Sequence, residues 1–462
     1  MTAVEHLPSA REIPLVGDDL MVPCVDGVER PYLSLDAGAS TSAFPAVAAR
    51  VQAFLPWYSS VHRGAGHKSQ FATDAYEDAR SAALRFARRP EGDVAIFCRN
   101  TTEAINHLAY RLRFAPDDVV VTTEVEHHAN LLPWRRLATC RYVTVGRSGT
   151  FTVEDVAKVL EDGRRPRLLA ITGASNVTGW LPPLDDIIDA AHALGVPVMV
   201  DAAQLAPHRP MPSSADFIVW SGHKMYAPFG TGALIGPRAA FDEGDPFLAG
   251  GGAVDLVDLD EVVWTDPPDR EEAGSPNVIG AVALHAAIDE FERIGWPTVV
   301  EHEHRLAARL RAGVASIPGV HLLGPDGDEE TLAVATFVVE GMPHALVAAR
   351  LSAEHAIGVR HGCFCAHPYL LKLLDLSEEA VHRYRADVLA GDRRVIPGAV
   401  RASVGISATD ADVDRFVGAL RSITESTPPV NYQQDQRTGD YSIDDPSSHL
   451  SGRALGASCA RG

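Results

Sequence analysis

The sequence predicts an α/β protein: a large, mainly parallel sheet wrapped by helices on both faces, followed by a smaller α/β unit. Three observations predict it. Short apolar, β-branched runs alternate with helical periods from about residue 70 to 295, and the pattern changes after Gly295. The chain has 462 residues, 46% hydrophobic and 22% charged, the balance of a globular protein with a large core. That length suits two or three domains.

The expected strands of the large unit are Val94–Cys98, Val119–Thr122, Leu168–Thr172, Val198–Val200, Phe217–Trp220 and Ala233–Ile235. Helical periods at Asp74–Arg88, Thr102–Leu112 and Leu184–Ala193 lie between them. Near-continuous apolar strands separated by helices belong to parallel sheets buried on both sides. After Gly295 a long helix is expected at Thr298–Ala315, then strands at Val320–Leu323 and Ala333–Val339 and a helix at Pro343–His355. A strand at Val400–Gly405 and a helix at Asp410–Ile423 close the unit. In that last helix Val413, Phe416, Val417 and Leu420 follow the helical repeat. The expected division is an N-terminal arm over 1–30 that joins the small domain, a large domain over 31–295, and a small domain over 296–424. A tail over 425–462 is rich in Pro, Ser, Gly, Asp and Gln, the composition of an arm that packs elsewhere or stays disordered.

Composition narrows the chemistry. Lys+Arg 41 against Asp+Glu 61 leaves a net charge of −20. So acidic a surface argues against nucleic-acid and anionic-membrane partners, which need clustered positive charge. Lys68, Lys158, Lys224 and Lys372 are the only lysines. Arg stays protonated near neutral pH, so an amine nucleophile must come from those four. Six scattered cysteines are no disulfide framework. Met1–Asp19 has no apolar signal core, and no apolar run nears the ~20 residues that span a bilayer. The expectation is a reduced, cytoplasmic protein.

The sharpest local signal is Asp216-Phe-Ile-Val-Trp-Ser-Gly-His-Lys-Met-Tyr226, in which an apolar strand runs into Lys224. A buried amine is costly as a cation, so its pKa should fall, as a Schiff-base lysine requires. Asp201, at the end of Val198-Met-Val200, suits a cofactor's ring nitrogen, though a lone acidic residue there is more often a loop cap. Asn100-Thr-Thr-Glu103 opens a helix, where hydroxyls and free N–H groups cradle phosphate or simply cap the helix. Glu126-His127-His128-Ala-Asn130 brings an imidazole for ring stacking or proton transfer. No third ligand stands at a spacing that would make His127 and His128 a metal site, so no metal is expected.

Together these stretches resemble the class V aminotransferase group of fold-type I pyridoxal phosphate (PLP) enzymes, and most of all the cysteine desulfurases and selenocysteine lyases. Val61-His-Arg-Gly64, Ser175-Asn-Val-Thr-Gly179, Asp201-Ala-Ala-Gln204, Ala273-Gly-Ser-Pro-Asn277, Arg360-His-Gly362 with Cys365-Ala366, and Arg401-Ala-Ser403 complete the pattern in family order. The resemblance implies that Lys224 forms the Schiff base and moves the Cα proton, while His127 stacks on the pyridine ring. It implies Asp201 on the ring nitrogen, Gln204 on the phenolic oxygen, and Thr101, Thr102, Ser221 and His223 around the phosphate. Ser275 would reach the partner subunit's phosphate in a homodimer. Asn176 and Arg401 would bind the substrate carboxylate, and Cys365 would take up sulfur.

Two departures stand out. The family's Asp-Asn-Ala-Ala-Thr pattern reads Asp36-Ala-Gly-Ala-Ser40 here, and a long insertion near 369–398, expected to hold one or two helices, separates Cys365 from Arg401. The Cys363-Phe-Cys365 pair, read as extended chain, points both thiols one way, with His361 and His367 favouring a thiolate. The resemblance implies PLP-dependent C–S cleavage of L-cysteine or an S-substituted cysteine, with a sulfur-acceptor protein as a possible partner. Transamination, epimerisation, β-elimination or oxidative decarboxylation of an amino-acid-like metabolite is the alternative. A non-catalytic scaffold would need none of Lys224, Asp201 and His127.

Overall fold

The computed structural model describes residues 13–89, 92–327 and 329–443. Residues 1–12 of the expected arm and 444–462 of the expected tail lie outside the described residues. The described N-terminal segment forms a hairpin of β1 (Met21–Pro23) and β2 (Glu29–Pro31). β3 (Leu33–Ser34) then lies parallel to Ile357–Gly358, and Leu33 and Leu35 enter the core of the second unit.

Helices α1 (Pro45–Phe54) and α2 (His67–Phe86) precede a seven-stranded sheet. Its strands are β4 (Asp93–Cys98), β5 (Val119–Thr123), β6 (Thr139–Val143), β7 (Leu168–Thr172), β8 (Val198–Asp201), β9 (Phe217–Ser221) and β10 (Gly232–Pro237), in the order β4-β10-β9-β8-β7-β5-β6. Every pairing from β9 to β6 is parallel; β10 runs antiparallel to both β9 and β4. All five residues of β5, β7 and β9 are buried, so alternate side chains serve opposite layers. Leu169 and Ile171 pack with α2, with α5 (Val153–Glu161), α6 (Leu184–Ala193) and α7 (Val278–Ile294). Leu168 and Ala170 face the other way, onto α3 (Thr101–Arg111) and α4 (Leu132–Leu137). The fold class is the one the sequence predicts: a large, mainly parallel αβα sandwich with a smaller α/β unit after it.

Between the sheet and α7, β11 (Val254–Val257) and β12 (Val262–Trp264) make an exposed hairpin. After α8 (Trp296–Ala315), a four-stranded antiparallel sheet takes the order β13 (Val320–Leu323), β14 (Val334–Val339), β17 (Ala399–Ser403), β16 (Arg360–Gly362). α8, α9 (His344–His355) and α12 (Asp410–Glu425) cover it, with Leu310, Phe337, Leu351 and Phe416 at the centre. The two-residue strand β15 (Ile357–Gly358) is the partner of β3. Residues 367–389 form α10 (His367–Leu373) and α11 (Glu378–Leu389). The described part of the tail packs down as a hairpin, β18 (Tyr432–Gln434) with β19 (Tyr441–Ile443). Its Tyr432 hydroxyl donates to Glu354, and Arg393 N–H donates to the Gln436 carbonyl.

Candidate active site

β4, β5, β7, β8 and β9 all run the same way, so their carboxyl ends share one edge, where open α/β sheets collect their ligands. The residues that follow them line one cavity of about 220 Å³. Thr101 and Thr102 start α3 after β4, His127 follows β5, and Asn176 follows β7. Asp201 ends β8, with Gln204 three residues on; Ser221 ends β9, with His223 and Lys224 in the single 3-10 turn beyond it. Arg401 enters from the second unit. In β17, Val400 and Ala402 join the small core, so the strand's alternation turns Arg401 toward the large unit. Cys365 completes the lining from the loop after β16. Ser275 is the one expected site residue outside the cavity: it lies exposed in the loop before α7.

Hydrogen bonds lock the first layer. Asn100 caps α3 by accepting the Glu103 N–H at 3.0 Å. The Ser221 hydroxyl accepts the Thr101 N–H at 2.8 Å and lies 2.7 Å from its Oγ1, tying the end of β9 to the start of α3. His127 Nδ1 accepts the Ala129 N–H at 3.1 Å, which leaves the ring proton on Nε2. Gln204 donates to the Gly38 carbonyl at 2.6 Å, and Asn176 donates to the Phe364 carbonyl at 2.7 Å. Arg401 donates to the Asn176 carbonyl at 2.6 Å and to Asp36 at 3.0 Å, and lies over the Phe364 ring at 5.3 Å. Its Nε is buried with no hydrogen-bond partner among the described residues.

Burial sets the electrostatics. It lowers the Lys224 amine to about 8, with Asp201 pulling upward and Arg401 downward. Burial, then the Lys224 charge, holds His127 and His223 near 4, so both rings are neutral at neutral pH. Asp201 is raised by burial, which the Ala203 N–H and Lys224 oppose. Behind His127, Glu126 is wholly buried and pushed up to about 8 by desolvation, although Thr123, Asn130 and the Thr172 N–H all donate to it.

The cysteine loop departs from expectation. Gly362, Phe364 and Cys365 have φ of 105°, 53° and 56°, so the chain turns here instead of extending. Both cysteines line a larger neighbouring chamber, but only Cys365 also borders the catalytic cavity. Nor do His361 and His367 supply positive charge, because burial lowers both. His367 instead stacks on His128 with centroids 5.1 Å apart, and the His128 N–H donates to the Cys365 carbonyl at 2.7 Å. Among the described residues, the one group with three ligand-type atoms within 4.8 Å is His62, Glu77 and Asp269, away from this cavity, and Arg80 already holds Glu77.

Two residues, Arg360 in the lining and Asp36 behind it, had no role in the sequence reading. Arg360 stands opposite Arg401 on the neighbouring strand and adds a second guanidinium to the lining; its spacing from Cys365 was the available signal. Asp36 pairs with Arg401, and a Cβ on Gly38 would lie 3.2 Å from the Arg401 guanidinium carbon. The unusual Asp36-Ala-Gly38 stretch is thus fitted to Arg401.

The family model for class-V aminotransferases matches residues 33–416. The chain belongs to the class-V aminotransferase family. It is 35% identical over 362 residues to a probable cysteine desulfurase of Halalkalibacterium halodurans, covering 76% of this chain and 87% of that protein. It is 33% identical over 436 residues to a cysteine desulfurase of Dickeya dadantii, covering 91% and 98%. Two solved structures share the fold. Apo cysteine desulfurase from Thermococcus onnurineus has a TM-score of 0.76 at 31% identity, over 85% of this chain and 95% of that one. The Escherichia coli cysteine desulfurase CsdA gives 0.73 at 30% identity, over the same shares. As a class-V member, this chain is a PLP-dependent enzyme of the fold-type I architecture.

Proposed function

We propose that this class-V enzyme breaks the C–S bond of L-cysteine or an S-substituted cysteine. One observation carries the reading: a thiol, Cys365, borders the same cavity as a lowered lysine amine and a buried guanidinium. The donor set suits PLP. The start of α3 with Thr101, Thr102, Ser221 and His223 suits a phosphate. Asp201 is buried, and among the described residues its carboxylate takes one hydrogen bond, from the Ala203 N–H at 3.0 Å; a protonated ring nitrogen would give it a cationic donor. Gln204 suits the phenolic oxygen, and His127 the ring face. When bound, the cofactor withdraws electrons from the substrate's Cα.

The chain's own residues supply the rest. Arg401, with its unpartnered Nε, and Asn176 hold the substrate carboxylate, a charge-assisted contact. Lys224, at about 8, takes and returns the Cα proton near neutral pH. His127 is a neutral N–H donor. With L-cysteine, the Cys365 sulfur attacks the substrate sulfur: an S–S bond forms, the Cβ–S bond breaks, and its electron pair is protonated at Cβ. Cysteine plus the thiol thus gives alanine plus a persulfide on Cys365, from which an acceptor protein would draw sulfur.

The free state of the described cysteines supports a reducing, cytoplasmic setting, and no described helix is long and apolar enough to cross a membrane. A homodimer is supported by the exposed Leu256, Val257, Leu259 and Val263 of the β11–β12 hairpin, which is joined to the Ser275 loop by the Gly274 N–H to Gly251 carbonyl bond. We also assign an arm over 1–30, a large domain over 31–295, a small domain over 296–424 and a tail beyond.

The test is mass spectrometry of alkylated enzyme after L-cysteine treatment. Wild type should carry one added sulfur on Cys365, and Cys365→Ser should carry none while keeping its bound-cofactor absorbance. Full sulfur release by Cys365→Ser would remove the thiol from the reaction and leave elimination.

A further inference from the structure

A second chamber of about 1030 Å³ adjoins the catalytic cavity, and the two share Arg360, Phe364 and Cys365 along their border. Its far wall is built by what lengthens this chain: α11, residues 393–398 and the β18–β19 hairpin. We propose that this chamber holds the substituent on the sulfur of an S-substituted L-cysteine, a bulky, largely apolar group that ends in an anion. The proposal rests on the C–S lyase reading and narrows its substrate class.

Direction is the first argument. A substrate with its carboxylate at Arg401 and its amine toward Lys224 presents its sulfur at Cys365. Cys365 stands on the border, so atoms beyond the sulfur pass into the second chamber. The catalytic cavity, about 220 Å³, has little room for them once cofactor and amino acid are in place.

Packing is the second. α10 is anchored in the large core through Tyr369, Leu370 and Leu373, but α11 has no buried residue. Tyr384 and Val388, one helical turn apart, line the chamber opposite Met342 and Leu376. A helix with its apolar side over a void lacks a packing partner, and a buried ligand group supplies one.

Charge is the third. The guanidiniums of Arg360 and Arg393 border the chamber with no hydrogen bond or ion pair to the described residues. The lining holds a single carboxylate, Asp440, and His361 lies 3.4 Å from it. Burial keeps His344, His361 and His367 neutral at neutral pH. The balance favours an anionic end on the guest.

The test compares S-methyl-, S-benzyl- and S-(para-carboxybenzyl)-L-cysteine with L-cysteine on the PLP-loaded enzyme. Each thioether plus water yields the free thiol, pyruvate and ammonia. The carboxybenzyl substrate should exceed the S-methyl one by about tenfold or more in kcat/KM. Val388→Trp, which fills the chamber from a helix with no core contact, should erase that advantage, with L-cysteine as the control. Arg393→Ala should erase only the preference for carboxybenzyl over benzyl. The same ligands are titrated by calorimetry into Lys224→Ala protein, which binds without turnover. Tighter binding of the aryl compounds there, without cleavage by wild type, would support the chamber and overturn the lyase reading. Cleavage of L-cysteine with no aryl preference in either assay would overturn the chamber alone.

Discussion

Arg401 shows how one side chain gains its place from several others. Asp36, the Asn176 carbonyl and the Phe364 ring fix its guanidinium at the wall of the cavity, and its buried Nε has no hydrogen-bond partner among the described residues. Losing a charge-assisted pair costs roughly 1.5–3 kcal/mol. Arg401→Ala should therefore raise KM for an α-carboxylate substrate about ten- to a hundredfold, at about 1.4 kcal/mol per decade. Steady-state kinetics check this, and an unchanged KM would move the carboxylate elsewhere. At this scale the sequence was legible where chemistry restricts the choice: four lysines, one of them after a buried apolar strand. It was illegible in the cysteine loop. The left-handed Phe364 and Cys365 are non-glycine residues held by tertiary contacts, and the neutrality of His361 and His367 comes from burial that no local pattern reveals.

Among elements, α8 is joined to the large unit through Glu303. This buried carboxylate pairs with His208 at 2.7 Å and with Arg209, both in the loop beyond β8, and with Arg209 and His208 it stays near 2, although desolvation alone would raise it. A carboxyl lower in the folded than in the unfolded chain stabilises the fold above its ordinary 4.5, and that stability is lost as pH falls toward 2. Glu303→Gln should cost about 3–5 kcal/mol at neutral pH and show a shallower loss of stability between about pH 5 and pH 3. Urea melts at the two pH values measure it; parallel losses in both proteins would contradict the linkage. The same scale shows which elements local pattern reveals. β7 and α6 were readable because one is a short apolar run and the other amphipathic. β6, an edge strand reading Thr-Cys-Arg-Tyr-Val, has no apolar run to announce it. The 17-residue α7 is apolar nearly all round because it is buried among other helices, so it has no polar stripe to set its period. The reversed direction of β10 follows from pairing, which composition does not encode.

The exposed apolar hairpin and the Ser275 loop should meet a second copy, so light scattering should give a dimer, and Ser275→Ala should weaken cofactor retention on dialysis. A monomer with full PLP occupancy would contradict that arrangement. The order of motifs along the chain made the fold readable from sequence, since five parallel strands bring scattered residues to one edge. The second chamber was not readable, because it exists only where α11 and a C-terminal hairpin meet the cysteine loop. The central claim is C–S cleavage. It is tested most directly by incubating PLP-loaded enzyme with L-cysteine without oxygen and measuring every product against sulfur released. The account predicts sulfur matched mole for mole by alanine, and neither product from Lys224→Ala. A keto acid that retains its sulfur, or carbon dioxide released without sulfur, would contradict it.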